Sequence, residues 1–319
     1  MNGITVYLKI YTRMFTRRLL LIGLWFIALQ WPGLAIGCKT IAVVSSNSHF
    51  GIVHRIEANF HAQPQPQPPL IHIISGKIQE PANLEQIGKS CLIVAIGSEA
   101  LKSVLNINTK VPILSILAHK HIFDALTLKH SNPVTAIYLD QPLERQLHLI
   151  QCLLPPEEQQ PLGLLLGVHS GQIHESLQNA VVLRVNPSEN PVAVLDALLD
   201  EAAVVLAIPD PHIYNPKTAR GILLTAFHKR VPLIGYSRTF VKNGALAAVY
   251  STTKQLSAQT VAMILTIINN PNKKLPPPQY PQEFSVAVNY QVAKSLGLTI
   301  DTEANLKYAI EKKELHRDA

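Results

Sequence analysis

Beyond residue 38 the chain alternates between short runs of β-branched and aliphatic residues and longer stretches in which apolar side chains recur at helical spacing. Period and turn residues together predict strands over 41–45, 70–74, 92–96, 113–117, 135–139, 162–166, 181–185, 204–208, 232–234, 247–250 and 284–288. They predict helices over 52–61, 98–105, 143–154, 191–199, 216–229, 253–268 and 290–296. The runs Leu162-Gly163-Leu164-Leu165-Leu166 and Val204-Val205-Leu206-Ala207-Ile208 are apolar without alternation, as strands covered by helices on both faces must be. This succession predicts an α/β fold of doubly wound layers. Ten or eleven strands exceed one ordinary sheet of roughly four to six, so two sheets and two domains are expected.

A natural boundary lies at Leu139-Asp140-Gln141-Pro142, where a strand gives way to an amphipathic helix and then a proline-rich loop over 155–161. The tract Gln63-Pro64-Gln65-Pro66-Gln67-Pro68-Pro69 and the segment 269–281, with Pro276-Pro277-Pro278, read as extended surface connectors. The polar tail from Asp301 is expected to cover a surface.

Ahead of these elements, a positive stretch ending in Arg17-Arg18 is followed by the apolar run 19–29 and the small-residue sequence Leu34-Ala35-Ile36-Gly37-Cys38. That order is the one of a secretory signal, and the apolar core is about half the roughly 20 residues a spanning helix needs. Reading on to Ile36 gives an uncleaved anchor instead, and both outcomes place the rest of the chain outside the cytoplasm. Ala35-Ile36-Gly37-Cys38 resembles a bacterial lipoprotein processing site with Cys38 as the lipidated residue, while ordinary cleavage after Gly37 fits nearly as well. Cys91 and Cys152 lie in apolar segments and read as two buried thiols, with one bridge as the alternative outside the cytoplasm.

The charge of the whole chain, +7, points toward an anionic partner until its distribution is considered. Lys9, Arg13, Arg17 and Arg18 supply four of the 28 basic residues, and none of the 21 acidic ones precedes Cys38, so only +3 remains beyond the leader. Nothing there argues for a nucleic acid.

In open α/β sheets ligands bind at the carboxyl ends of strands. Those ends read Ser45-Ser46-Asn47-Ser48-His49, Gly97-Ser98-Glu99, Asp140-Gln141, Pro209-Asp210-Pro211, Gly235-Tyr236-Ser237-Arg238 and Tyr250-Ser251-Thr252. Ser98, Ser237 and Ser251 are placed to cap the following helices, and the same backbone donors can hold a ligand carboxylate. Donors around Ser45, Ser46, Asn47, Gly97, Ser98 and Ser237, an acceptor at Asp210 for an ammonium, and a wall from Tyr236 or Tyr250 form the candidate binding set. Asp210 is equally readable as a turn residue between prolines.

No Gly-rich phosphate or dinucleotide loop is present, and Gly235-Tyr236-Ser237-Arg238-Thr239 lacks the second Gly of a nucleophile elbow. The pairs His119-Lys120-His121 and His169 with His174 lack the spacing and nearby acid of a zinc enzyme, so neither a metal nor a cofactor is expected.

The stretch Val231-Pro232-Leu233-Ile234-Gly235-Tyr236-Ser237-Arg238-Thr239-Phe240-Val241-Lys242-Asn243-Gly244-Ala245-Leu246-Ala247-Ala248 resembles a characteristic segment of the ABC-transporter substrate-binding proteins associated with tryptophan and other aromatic amino acids. Similar in the same order are Leu143-Glu144-Arg145-Gln146-Leu147-His148-Leu149-Ile150, Val204-Val205-Leu206-Ala207-Ile208-Pro209-Asp210 and Asn289-Tyr290-Gln291-Val292-Ala293-Lys294-Ser295-Leu296-Gly297-Leu298-Thr299-Ile300. The chain differs at Tyr236 and Arg238, where small or acidic residues are usual, and in the room for only a short helix over 169–181.

The resemblance implies a type I periplasmic-binding fold: two Rossmann-like lobes joined by three crossovers, near 139–140, 250–251 and 281–284, with a ligand in the interlobe cleft. Residues 1–37 would be the signal peptide. Lobe one would hold 38–139 plus about 253–281, lobe two 140–252 plus about 284–302, and 303–319 would be the polar tail. The implied protein is a periplasmic or otherwise exported monomer without enzymatic activity. It would bind a small molecule, an aromatic amino acid being one candidate, and serve an inner-membrane permease, touching the membrane only through a leader anchor or a lipid on Cys38. A sensor or scaffold of the cell envelope and an extracytoplasmic hydrolase are the competing expectations.

Overall fold

Each of the eleven strands forms where the apolar runs place it, and the strands sort into two sheets. The computed structural model describes residues 38–315 except 108, 160, 168–176 and 178. The expected leader over 1–37, the pair His169 and His174, and residues 316–319 lie outside the described residues.

The first sheet has the order β2-β1-β3-β4-β5 and is parallel throughout, with β1 (Ile41–Ser45), β2 (Leu70–Ile74), β3 (Leu92–Ile96), β4 (Ile113–Ile116) and β5 (Val134–Ile137). The central strands β1 and β3 are buried over their whole length, as their unbroken apolar sequences require. Helices α1 (Phe50–His61), α2 (Pro81–Lys89), α3 (Ser98–Leu105) and α4 (Lys120–Thr127) connect these strands.

The second sheet has the order β11-β10-β9-β8-β6-β7, comprising β6 (Leu162–Gly167), β7 (Val181–Val185), β8 (Val204–Leu206), β9 (Leu233–Gly235), β10 (Ala247–Tyr250) and β11 (Ser285–Val288). Only β11 runs antiparallel, against β10. Its helices are α5 (Leu143–Leu153), α6 (Pro191–Leu198), α7 (Ala219–His228), α8 (Arg238–Lys242), α9 (Thr253–Ile268), α10 (Tyr290–Leu296) and α11 (Glu303–Leu315), of which α9 crosses back to pack on α1 of the first lobe. The period-2 split of β6 shows why its sequence does not alternate. Leu162, Leu164 and Leu166 join one core with Leu149, Val249 and Ile310, while Leu165 joins the opposite core with Val205, Ile222 and Phe240.

The chain passes between the sheets at residues 138–142, 251–252 and 280–284. The middle passage is fixed by Thr252 and Gln255, which cap α9 reciprocally: the Thr252 hydroxyl accepts from Gln255 N at 3.2 Å, and Gln255 Oε1 accepts from Thr252 N at 2.8 Å. Before the third passage, Gln279 lies along β5, its N–H bonded to Ala136 O at 2.9 Å while Tyr138 N bonds Gln279 O at 3.0 Å.

Residues expected as a polar tail form α11 over Glu303–Leu315. Leu306 and Ile310, four residues apart and thus on one face, are buried against α5 and β11, so this segment completes the core of the second lobe.

Candidate functional site

The first crossover builds the polar side of the site. After β4 the chain turns at Leu117, whose φ is +57°, and Leu139 N bonds Ala118 O at 3.0 Å, which brings His119 beside Asp140. His119 Nδ1 lies 2.8 Å from Asp140 Oδ1, and Asp140 Oδ2 accepts the N–H of Lys120 at the start of α4. A carboxylate on a helix N-terminus is favoured by the aligned peptide dipoles. Burial pushes the Asp140 carboxyl up, but the His119 bond and charge and the Lys120 N–H outweigh it, and the group lies below the ordinary carboxylate value. His121 stacks on His119 with ring centroids 5.9 Å apart, and its protonation is suppressed by burial first and by His119 second, against the pull of Asp140, Asp210 and Asp124.

The second lobe supplies the apolar side. Tyr236 follows β9 and stacks on Phe240 at 5.0 Å, with Tyr214 edge-on to both at 6.0 and 5.7 Å, so the Tyr236 ring is held in place. Burial pushes the Tyr236 hydroxyl up, so it stays protonated at neutral pH.

Between these sides lies a cleft of about 180 Å³, lined by His119, Leu139, Asp140, Gln141, Gln146 and Pro209, and by Tyr236, Ser237, Val249, Tyr250 and Ser251. Ligand pockets more often measure about 300–1,000 Å³, so this one suits a compact molecule. Tyr236, Ser237 and Tyr250 of the expected set thus converge on one cavity. Asp210 follows the lining residue Pro209 and is buried at 6% exposure, with Oδ1 accepting from His212 N at 2.8 Å in an Asx turn. Its other oxygen would stand 2.3 Å from a β-carbon at position 167, so the close approach of Asp210 to β6 requires Gly167.

The first-lobe residues of the expected set lie outside this lining. The Ser45 hydroxyl is buried and bonds His72 Nε2 at 2.8 Å, and that of Ser46 bonds His49 Nδ1 at 3.0 Å. Asn47 is exposed at the start of a single 3₁₀ turn, Gly97 packs on the His49 ring with φ +89°, and Ser98 begins α3. Of the three serines expected to cap helices, only Ser237 does so, accepting from Phe240 N at 3.1 Å. The residue before α3 is Gly97, without a side-chain cap bond, and α9 is capped by Thr252 rather than Ser251.

Ser251 instead joins a hydrogen-bond network spanning all three crossovers. Its hydroxyl donates to Glu283 O at 2.6 Å and accepts from Gln141 Nε2 at 2.9 Å. Gln141 Oε1 accepts from Arg145 Nη1, which also donates to Pro281 O, both at 2.9 Å. Arg145 then grips Glu314 of α11 through Nε at 2.7 Å and Nη2 at 3.1 Å, with its guanidinium 4.4 Å from the Phe284 ring centroid. His119, Asp140, Gln141, Gln146 and Ser251 were not in the expected set. The strand-end rule that singled out Asp140-Gln141 and Tyr250-Ser251 as positions was the signal for three of them.

Among the described residues no group of three or more His, Cys, Asp or Glu is placed to hold a metal ion, and no helix is long and apolar enough to cross a membrane. Cys91, read as a buried thiol with a bridge as the alternative, is disulfide-bonded, as is Cys38, while Cys152 is a half-buried free thiol.

The model of the ABC transporter substrate binding protein family matches residues 174–313. Among solved structures, a ligand-free, open substrate binding protein with adhesive properties from Clostridium difficile is 15% identical, with a TM-score of 0.62 over 83% of this chain and 96% of that one. An ABC domain from Streptococcus pneumonia in complex with L-Trp is 16% identical, TM-score 0.56, over 85% and 98% of the two chains. A conserved domain protein from Vibrio cholerae is 15% identical, TM-score 0.57, over 83% and 96%. No curated protein sequence matches the chain. The two parallel-rich sheets with their three passages are the two-lobed type I periplasmic-binding fold, and residues 174–313 carry the pattern of the ABC transporter substrate binding protein family.

Proposed function

We propose that this protein is an exported solute-binding protein of an ABC-type uptake system that closes its two lobes on a compact small molecule, such as an aromatic amino acid, and hands it to an inner-membrane permease without chemical change. The observation that carries this reading is the cleft itself: its lining is drawn from both sides of the crossovers and includes a held tyrosine and a His–Asp pair. The family matched over residues 174–313 supports it. The ring of Tyr236 provides a stacking surface, Ser237 and Ser251 provide hydroxyls, and Asp210 beside Pro209 provides a carboxylate for a ligand ammonium. Both walls of the site come from one chain, so a single copy suffices to hold the ligand.

A thermal-shift screen of the secreted protein against amino acids, amines, nucleobases and sugars tests this. A ligand present at 100 times its Kd stabilises by about 2.7 kcal/mol, which for a domain of this size raises the Tm by roughly 5–10 °C. A blank across the whole library refutes the solute-binding reading.

A further inference from the structure

Gln146 lies in the first turn of α5, lines the cleft and is 8% exposed. Its Nε2 donates to Gln141 O at 3.3 Å, but its Oε1 is buried with no hydrogen-bond partner. A buried acceptor without a donor is costly, and native proteins seldom retain one without a use for it. The outermost torsion of a glutamine is broad, so the amide can turn its oxygen onto a donor in the cleft without leaving its rotamer. The described lining holds one carboxylate, Asp140, which is paired with His119, and neither Lys nor Arg. An anionic ligand would meet that carboxylate and, among the described lining residues, no Lys or Arg.

We infer that Gln146 is a specificity-determining residue whose Oε1 accepts a hydrogen bond from an N–H of the solute, and that the cleft selects compact ring compounds bearing an N–H donor and no net negative charge. This rests on the solute-binding reading of the same cleft. Ring stacking on Tyr236, one acceptor at Gln146 and a described lining with a carboxylate but no Lys or Arg together favour an aromatic amine or zwitterion over the matching aromatic acid.

The test uses the whole protein, wild type and Gln146→Leu, in two measurements. Without ligand, the Leu variant melts close to the wild-type temperature, because removing the unpaired Oε1 offsets the loss of the long Nε2 bond to Gln141 O. In calorimetry with 2-phenylethylamine, L-phenylalanine and phenylacetate, and with tryptamine, L-tryptophan and indole-3-acetate, wild type prefers the amine or the zwitterion to the acid. Gln146→Leu weakens the best of these about tenfold or more. A large fall in the ligand-free Tm with unchanged affinity assigns Gln146 a purely structural role and overturns the inference. Preferred binding of phenylacetate or indole-3-acetate overturns it too. If none of the six binds but a sugar or another solute does, the selectivity is wrong and the solute-binding reading stands; if nothing in the broad library binds, that reading fails first.

Discussion

Replacing Arg145 with Ala should be among the most damaging single changes in the second lobe, because one guanidinium joins the first and third crossovers directly, and the second through Gln141, to the C-terminal helix. Its side chain is 8% exposed, and truncation removes two bonds to Glu314, one to Gln141 and one to Pro281 O, together with the cation–π contact to Phe284. Removing one partner of a buried ion pair costs about 3–5 kcal/mol, mostly through the polar groups left behind. Glu314 is 28% exposed and water can reach it, which places its share at the lower end, but Gln141 Oε1 and Pro281 O lose donors in a buried setting. About 3–4 kcal/mol is therefore expected, a fall in Tm of roughly 6–16 °C for a domain of this size. Glu314→Gln keeps an acceptor for Arg145 and should cost about 1–2 kcal/mol. Calorimetric melts of both variants measure this. An Arg145→Ala protein melting within 2 °C of wild type by the same scaling would refute the hub, and an undisturbed Glu314→Gln beside a crippled Arg145→Ala would confine it to the crossovers and detach α11.

Four further outcomes are expected. Acid should weaken the fold in two stages: burial holds His49, His72 and His121 below their ordinary 6.5, so the folded chain binds fewer protons than the unfolded one and stability is lost as the pH falls from about 6.5 toward the folded values. Asp140, held below 3.8, contributes stability that disappears only as the pH drops through its folded value, and a urea midpoint unchanged between pH 7.5 and 5 would contradict the histidine stage. Asp210→Ala should weaken an ammonium-bearing ligand at least about thirtyfold, and Asp210→Asn, which keeps the acceptor for His212 N, should match that loss with a smaller fall in Tm; unchanged affinity in both removes Asp210 from the site. Gly167→Ala drives a methyl into Asp210 and should cost about 1–3 kcal/mol, and its effect should be less than additive with Asp210→Ala in a double-mutant cycle. The secreted chain should begin at or near Cys38 with that sulfur in a disulfide, so its intact mass rises by two hydrogens on reduction; a diacylglyceryl mass, which needs the same sulfur as a thioether, or a retained Met1 would refute this.

What the sequence makes legible is what local periodicity and burial control. Leu162 to Leu166 announces a strand covered on both faces because each face meets its own helices, and helical spacing announces α9 over 253–268, although its cap is Thr252 rather than the expected Ser251. The strand-end rule locates Asp140, Ser237 and Tyr250 as positions, since it follows from topology. It overreaches at Ser45 and Ser46, whose hydroxyls are drawn to His72 and His49 by pairings that no local pattern encodes. The polar composition of 303–315 conceals two apolar residues that become buried, Leu306 and Ile310, which suffice for a helix with a partner waiting on α5.

The residues that escape sequence reading are those whose partners are far away in the chain. Arg145 lies 169 positions from Glu314 and 136 from Pro281, and Gln141 lies 110 from Ser251. Yet Gln141 and Ser251 both line the cleft while tying the crossovers together, so on the proposed reading a ligand seated there would touch the same side chains that join the crossovers. A solute that bonds Ser251 or Gln141 must compete with Glu283 O or Arg145 for that group. On that reading binding and the crossover hydrogen bonds would be linked, and by reciprocity a change at Glu314, which does not line the cleft, would alter ligand affinity by the same free energy with which the ligand alters the Glu314–Arg145 pair.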